Sequence, residues 1–120
     1  MKTRNIAIAD DHPLLRKGLS NFLSKCGFNV VIEAANGKEL ISALRKNTIL
    51  PDSCIVDMNM PQMNGMDTLA SVKRHWPAIK VFLYSMQDDS ELMNHCRRQG
   101  ADGYILKGTN DDELLAMLRE

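Results

Sequence analysis

The side chains best equipped for chemistry in this 120-residue chain are two adjacent carboxylates, Asp10 and Asp11, a third carboxylate, Asp57, a hydroxyl, Ser85, and an ammonium, Lys107. Each ends or follows a short apolar run, so a fold that gathers the ends of those runs brings all five together. Three carboxylates in a small pocket repel one another, and the arrangement persists only if pKa values rise or a cation compensates. All-oxygen ligands with room left for water and a phosphate suit Mg2+, with Mn2+ able to substitute, better than zinc or copper, which favour imidazole or thiolate. With that cation present, Asp57 can act as a carboxylate nucleophile toward a phosphoryl donor. Lys107 can then neutralise charge on the transferring group, and Ser85 can hydrogen-bond one of its oxygens.

The elements that must position these groups are legible from periodicity. Strand candidates are Asn5 to Ala9, Asn29 to Ala34, Cys54 to Asp57, Lys80 to Tyr84 and Gly103 to Leu106, each too short and apolar for a surface helix. Between them, Leu15, Leu19, Phe22 and Leu23 recur at helical spacing, as do Leu40, Ile41 and Leu44, then Met66, Leu69, Val72 and Trp76; each set predicts one core-facing stripe. Leu92, Met93 and Cys96 predict a fourth helix closed by Gly100, and Leu114, Leu115 and Leu118 a fifth that opens with Asp111 and Asp112. Strands alternating with helices predict an α/β, doubly wound, flavodoxin-like domain over residues 1–120. Its five-stranded parallel sheet has the order 2-1-3-4-5, with helices on both faces. In such a sheet ligands bind at the carboxyl ends of the strands, where Asp10, Asp11, Asp57, Ser85 and Lys107 all fall.

Composition narrows the function. Fifteen basic and fifteen acidic residues cancel, so there is no basic footprint for nucleic acid. No stretch approaches the roughly 20 apolar residues of a membrane span. The opening Met1-Lys2-Thr3-Arg4 runs straight into an apolar segment rather than forming a signal peptide, which places the chain in the cytoplasm. Cys26, Cys54 and Cys96 lack metal or redox spacing and read as reduced, mostly buried thiols. His12, His75 and His95 have no ligand spacing among themselves and are given no role. Met58, Met60, Met63 and Met66 suit packing far better than capture of Cu(I). An Asp10-Asp11 loop without a glycine-rich cradle argues against a flavin or dinucleotide.

The acidic pair, the segment Asp57-Met58-Asn59-Met60-Pro61-Gln62-Met63-Asn64-Gly65, Ser85, and Tyr104 three positions before Lys107 resemble the receiver domain of bacterial two-component response regulators over essentially the whole chain. The opening Asp10-Asp11-His12-Pro13-Leu14-Leu15-Arg16-Lys17-Gly18-Leu19 is most similar to receivers that precede a LuxR-type helix-turn-helix domain. The resemblance implies that Asp57 accepts phosphate from a sensor histidine kinase or phosphotransfer protein. It also implies that Asp10, Asp11, Asp57 and the Asn59 carbonyl hold Mg2+, that Ser85 and Tyr104 form a coupled switch, and that Asn59 and Gln87 tune phosphoryl lifetime. An output such as transcription, homodimerisation on phosphorylation, and DNA contact only through an output domain absent from this chain follow from the same resemblance. The last helix, still amphipathic at Glu120, agrees with a longer protein.

Two departures from the family pattern stand out. Gly108 replaces a common proline after Lys107, leaving that loop's geometry open, and Met86 replaces a small residue beside Ser85, where its bulk is expected to crowd Asp57 and slow transfer from small donors. Four bland readings remain beside the chemical one: Asp10 or Asp11 as caps of the first helix, Lys107 as a solvated charge, Ser85 as a turn or cap residue, and Tyr104 as a half-buried strand aromatic. Two other functions compete, a receiver that has lost phosphorylation and serves as an interaction module, and an aspartyl phosphatase of the haloacid dehalogenase type. The latter wants D-x-D after the first strand, which Asp10-Asp11-His12 does not supply.

Overall fold

Short apolar runs punctuated by glycine, asparagine and aspartate leave the chain few ways to bury its backbone, and the computed structural model, which describes residues 4–119, shows the parallel solution. In order the elements are β1 (Asn5–Ala9), α1 (Pro13–Lys25), β2 (Asn29–Ala34), α2 (Gly37–Lys46), β3 (Ser53–Asp57), α3 (Gly65–His75), β4 (Lys80–Ser85), α4 (Ser90–Arg98), β5 (Gly103–Leu106) and α5 (Asp111–Arg119). The sheet order is β2-β1-β3-β4-β5 and every pairing is parallel, as the alternation of strands and helices predicts. The order reverses between β1 and β3, which opens the crevice at their carboxyl ends. Glu120, where the amphipathic pattern was expected to continue, lies outside the described residues, as do Met1, Lys2 and Thr3.

The two faces of the sheet follow from period-two alternation in its strands. Ile6, Ile8, Ile55, Phe82 and Ile105 pack with Leu23 of α1 and Leu114 and Leu118 of α5. Ala7, Ala9, Cys54, Val56, Val81 and Leu83 pack instead with Leu40, Ile41 and Leu44 of α2, Leu69 and Val72 of α3, and Cys96 of α4. Burial in this second core pushes the Cys54 thiol up to about 12, an effect that Lys73 offsets only in part.

Asparagine and aspartate side chains cap four helices: Asn36 accepts from Glu39 N, Asn64 from Asp67 N, Asp89 from Leu92 N, and Asn110 from Glu113 N. The exception is α1, where His12 holds the cap position without a side-chain cap bond and Pro13 opens the helix.

At the amino ends of the strands runs a continuous polar seam. Asn29 Nδ2 donates to Asn5 Oδ1 (3.0 Å) and Asn5 N to Asp52 Oδ2 (2.8 Å), while Lys80 N donates to Asp52 O (3.0 Å). Asp102 Oδ2 then accepts both Val81 N (2.8 Å) and Lys73 Nζ (3.0 Å), which ties β5 to β4 and α3.

Three expectations need correction. Ser53 joins β3 because it continues the ladder, opposite Ile6 and Lys80. Ser85 is the last residue of β4, paired with Leu106, rather than the first beyond it. Leu15 does not face the core: burial deepens along α1 from Leu15, 53% exposed, through half-buried Leu19 to fully buried Leu23, so the helix meets the core only toward its carboxyl end. None of the described helices is long and apolar enough to cross a membrane.

Candidate functional site

The carboxyl edge of the sheet gathers the predicted groups. Asp10 leaves β1 with its N–H still donating to Ala34 O (3.0 Å), and its Oδ1 accepts His12 N (2.9 Å), which fixes the turn into α1. Arg16, one turn into α1, donates from Nη1 to Asp10 O (2.6 Å) and so ties that turn to the helix. Asp57, 3% exposed at the end of β3, accepts Asn59 N on Oδ1 (3.1 Å) and Lys107 Nζ on Oδ2 (3.0 Å). Lys107 is held in place because its own N–H donates to Ser85 O (2.8 Å), carrying the β4–β5 ladder one step beyond β5.

Gly108 takes φ 94°, a conformation closed to proline, and this fixes the loop geometry that the sequence left open. Met86, next to Ser85, is 76% exposed.

Carboxylate oxygens of Asp10, Asp11 and Asp57 and a ring nitrogen of His12 all lie within 4.8 Å of one another. At that separation two like charges repel by about 3 kcal/mol at an effective dielectric constant of 20. Among the described residues, Lys107 is the only ammonium bonded to the cluster. Asp11 Oδ1 is buried and makes no hydrogen bond with any described residue, although His12 Nδ1 lies 3.1 Å away, because that approach lacks hydrogen-bond geometry. An orphaned anionic oxygen beside two further carboxylates is a donor set that fits a hard divalent cation.

Beside this cluster, Ser85, 1% exposed, accepts Gln87 N on Oγ (3.0 Å), and Tyr104, 7% exposed, donates its hydroxyl to Gln87 O (3.0 Å). The β4–α4 connection is therefore pinned at Gln87 by both residues expected to form a switch.

Sequence reasoning missed two residues. His12, given no role because it pairs with no other histidine, stands with Nδ1 3.3 Å from Asp10 Oδ1 and 3.1 Å from Asp11 Oδ1. The signal was available: its neighbours in a tight turn are the acidic pair themselves. Tyr84 was read only as a strand residue, yet Lys107 Nζ lies 5.3 Å from its ring centroid. Burial pushes the Tyr84 phenol up; Lys107 opposes that shift, while Asp10 and Asp57 add to it.

Residues 6–119 match the model of the response regulator receiver domain family. This chain belongs to that family. The receiver domain is 32% identical over 115 residues to the transcriptional regulatory protein DegU of Brevibacillus brevis, covering 95% of this chain and 48% of DegU. It is 34% identical over 116 residues to the nitrate/nitrite response regulator protein NarL of Escherichia coli K12, covering 96% and 53%. The chain thus spans about half the length of the curated relatives it matches. Among solved structures, a LuxR-family two-component response regulator from Aurantimonas superposes with a TM-score of 0.89 at 27% identity over 98% of this chain and 84% of that one. The isolated receiver of RcsB from Salmonella enterica serovar Typhimurium, solved with phosphomimetic BeF3−, gives 0.87 at 26% identity over 98% and 87%. The receiver is a signalling domain of NarL and LuxR type, with the doubly wound fold of those neighbours.

Proposed function

We propose that this receiver takes a phosphoryl group on Asp57 from the phosphohistidine of a sensor histidine kinase or phosphotransfer protein and responds by changing shape around α4. The observation that carries the reading is the buried Asp57 carboxylate, held by Lys107 Nζ at 3.0 Å among two further carboxylates. A carboxylate oxygen of Asp57 bonds to phosphorus as the P–N bond breaks and its electron pair returns to the donor imidazole. Lys107, already aimed at Asp57, neutralises the charge that arrives there. Asp10, Asp11, Asp57 and the Asn59 carbonyl are the residues to hold Mg2+, or Mn2+ in its place. That cation would supply the remaining neutralisation of phosphoryl oxygens.

Ser85 Oγ accepts a hydrogen bond from Gln87 N and keeps its own proton free to donate to a phosphoryl oxygen. Turning it toward the phosphoryl group releases one of the two bonds at Gln87; the other belongs to Tyr104. The phosphoryl group shifts the balance of two conformations to the extent that it bonds one better than the other. To Asn59 and Gln87, both exposed, we assign the tuning of water access and so of the rate of slow self-dephosphorylation.

The output we assign is control of transcription from the cytoplasm, through a DNA-binding domain not in this chain and with homodimerisation on phosphorylation. The kinship with DegU and NarL and the BeF3− complex of RcsB support it. The test is intact mass after incubation with acetyl phosphate and Mg2+. One labile phosphoryl adduct is expected, absent from Asp57→Asn and in EDTA. An adduct that survives in the variant, or none from acetyl phosphate or a kinase, would refute the assignment.

A further inference from the structure

We propose that His12 supplies an imidazole nitrogen to the cation at this site, so that the pocket favours first-row transition-metal ions over Mg2+ more than its carboxylates alone would. The inference rests on the metal-dependent reading above and extends it to a residue which that reading does not use.

The side chain of His12 is not committed elsewhere. At the cap position of α1 it makes no cap bond; its backbone N–H is anchored by Asp10 Oδ1 at 2.9 Å, and its ring Nδ1 is hydrogen-bonded to the same oxygen at 3.3 Å, so the ring is held against the acidic pair. The ring is 61% exposed and stands beside the carboxylates, Nδ1 lying 3.1 Å from Asp11 Oδ1 and 3.3 Å from Asp10 Oδ1. Donor atoms on opposite sides of an octahedral ion are separated by twice the bond length, about 4.2 Å. The four candidate donors lie within 4.8 Å of one another, so a contraction of about 0.6 Å brings the widest pair to that separation.

The electron inventory decides what that nitrogen does. Mg2+ prefers oxygen and keeps several waters, gaining little from imidazole. Mn2+, Co2+ and Ni2+ gain progressively more from a nitrogen donor. A pocket of three carboxylates alone should show a shallower rise along that series than one with an imidazole in reach.

The experiment is calorimetric titration of the full chain and of His12→Gln with Mg2+, Mn2+ and Ni2+, with pulsed EPR of the Mn2+ form. Asp11→Asn locates the binding, and His75 and His95 remain in every protein as a common background. The expected result is a Ni2+ to Mg2+ affinity ratio that falls at least roughly tenfold in His12→Gln. Nitrogen hyperfine modulation should be present in the parent Mn2+ form and absent in the variant. Equal ratios without nitrogen modulation would overturn the role of His12 while leaving Mg2+ binding in place. Failure of the parent chain to bind Mg2+ would remove the reading on which the proposal rests, and the proposal with it.

Discussion

Gly65 opens α3 directly beneath the loop that leaves Asp57, and replacing it with alanine tests how tightly that loop is built. A Cβ at Gly65 would stand 2.7 Å from Asp57 O and 2.7 Å from Met58 Cα, with Asp57 C at 3.2 Å. Ordinary contact begins near 3.4 Å, so the two closest approaches are short by roughly 0.7 Å, and all three partners are backbone that no rotamer change can move. Overpacking of this kind costs about 1–3 kcal/mol. Against it stands at most about 1 kcal/mol from alanine's better helix propensity. Gly65→Ala should therefore lose about 1–2 kcal/mol, a fall in Tm of about 4–8 °C for a domain of this size. The displaced loop also carries the Asp57 to Lys107 contact at 3.0 Å, so phosphoryl uptake should slow as well. Gly18→Ala is the matched control: it lies inside α1 with nothing within 4 Å of its Cβ and should gain about 0.5–1 kcal/mol. Urea melts followed by circular dichroism measure both. A Gly65→Ala protein as stable as its parent would refute the reasoning, because the loop would then be free to give way.

Tyr104→Phe removes the part-buried bond to Gln87 O and should cost about 1 kcal/mol, while amide exchange over residues 86–90 accelerates; unchanged exchange would deny Tyr104 a hold on the loop. Lys107→Met leaves the Asp57 carboxylate buried without its ammonium and should cost about 3 kcal/mol in EDTA by the same melts. Because burial raises the Cys54 thiol from 9.0 to about 12, the folded state holds that proton longer than the unfolded one. Stability should thus be unaffected by this group below about pH 9 and fall above it, by about 1.4 kcal/mol per pH unit. Melts between pH 8 and 10.5 should show a shallower fall in Cys54→Ala, and equal slopes would contradict the burial argument.

What could be read from the sequence is what repeats or sits at a strand end. The apolar run Asn5 to Ala9 was legible as a buried strand, and the positions of Asp10, Asp57 and Lys107 gave a common edge. Ser53 and Ser85 escaped the strand assignments because propensity cannot see a ladder partner, and each is strand only through its neighbour across the sheet. Leu15 shares the spacing of Leu19 and Leu23, yet periodicity fixes a helix face without saying where along the helix the core begins. His12 and Tyr84 were missed for a common reason: their parts depend on Asp11 and Lys107 being brought beside them in space, and neither histidine spacing nor strand alternation encodes that.

The seam of Asn29, Asn5, Asp52, Lys80, Val81 and Asp102 clamps the amino ends of the strands, whereas the opposite ends carry like charges and the β4–α4 connection held at Gln87. Mechanically the seam is the root of the sheet, and the site stands at the far end of the strands. A disturbance at Asp57 then has little to work on at the root, and its displacement is spent where β4 passes into α4. A change at Asp52 or Asp102 would therefore loosen the support on which the site at the far end of the strands depends.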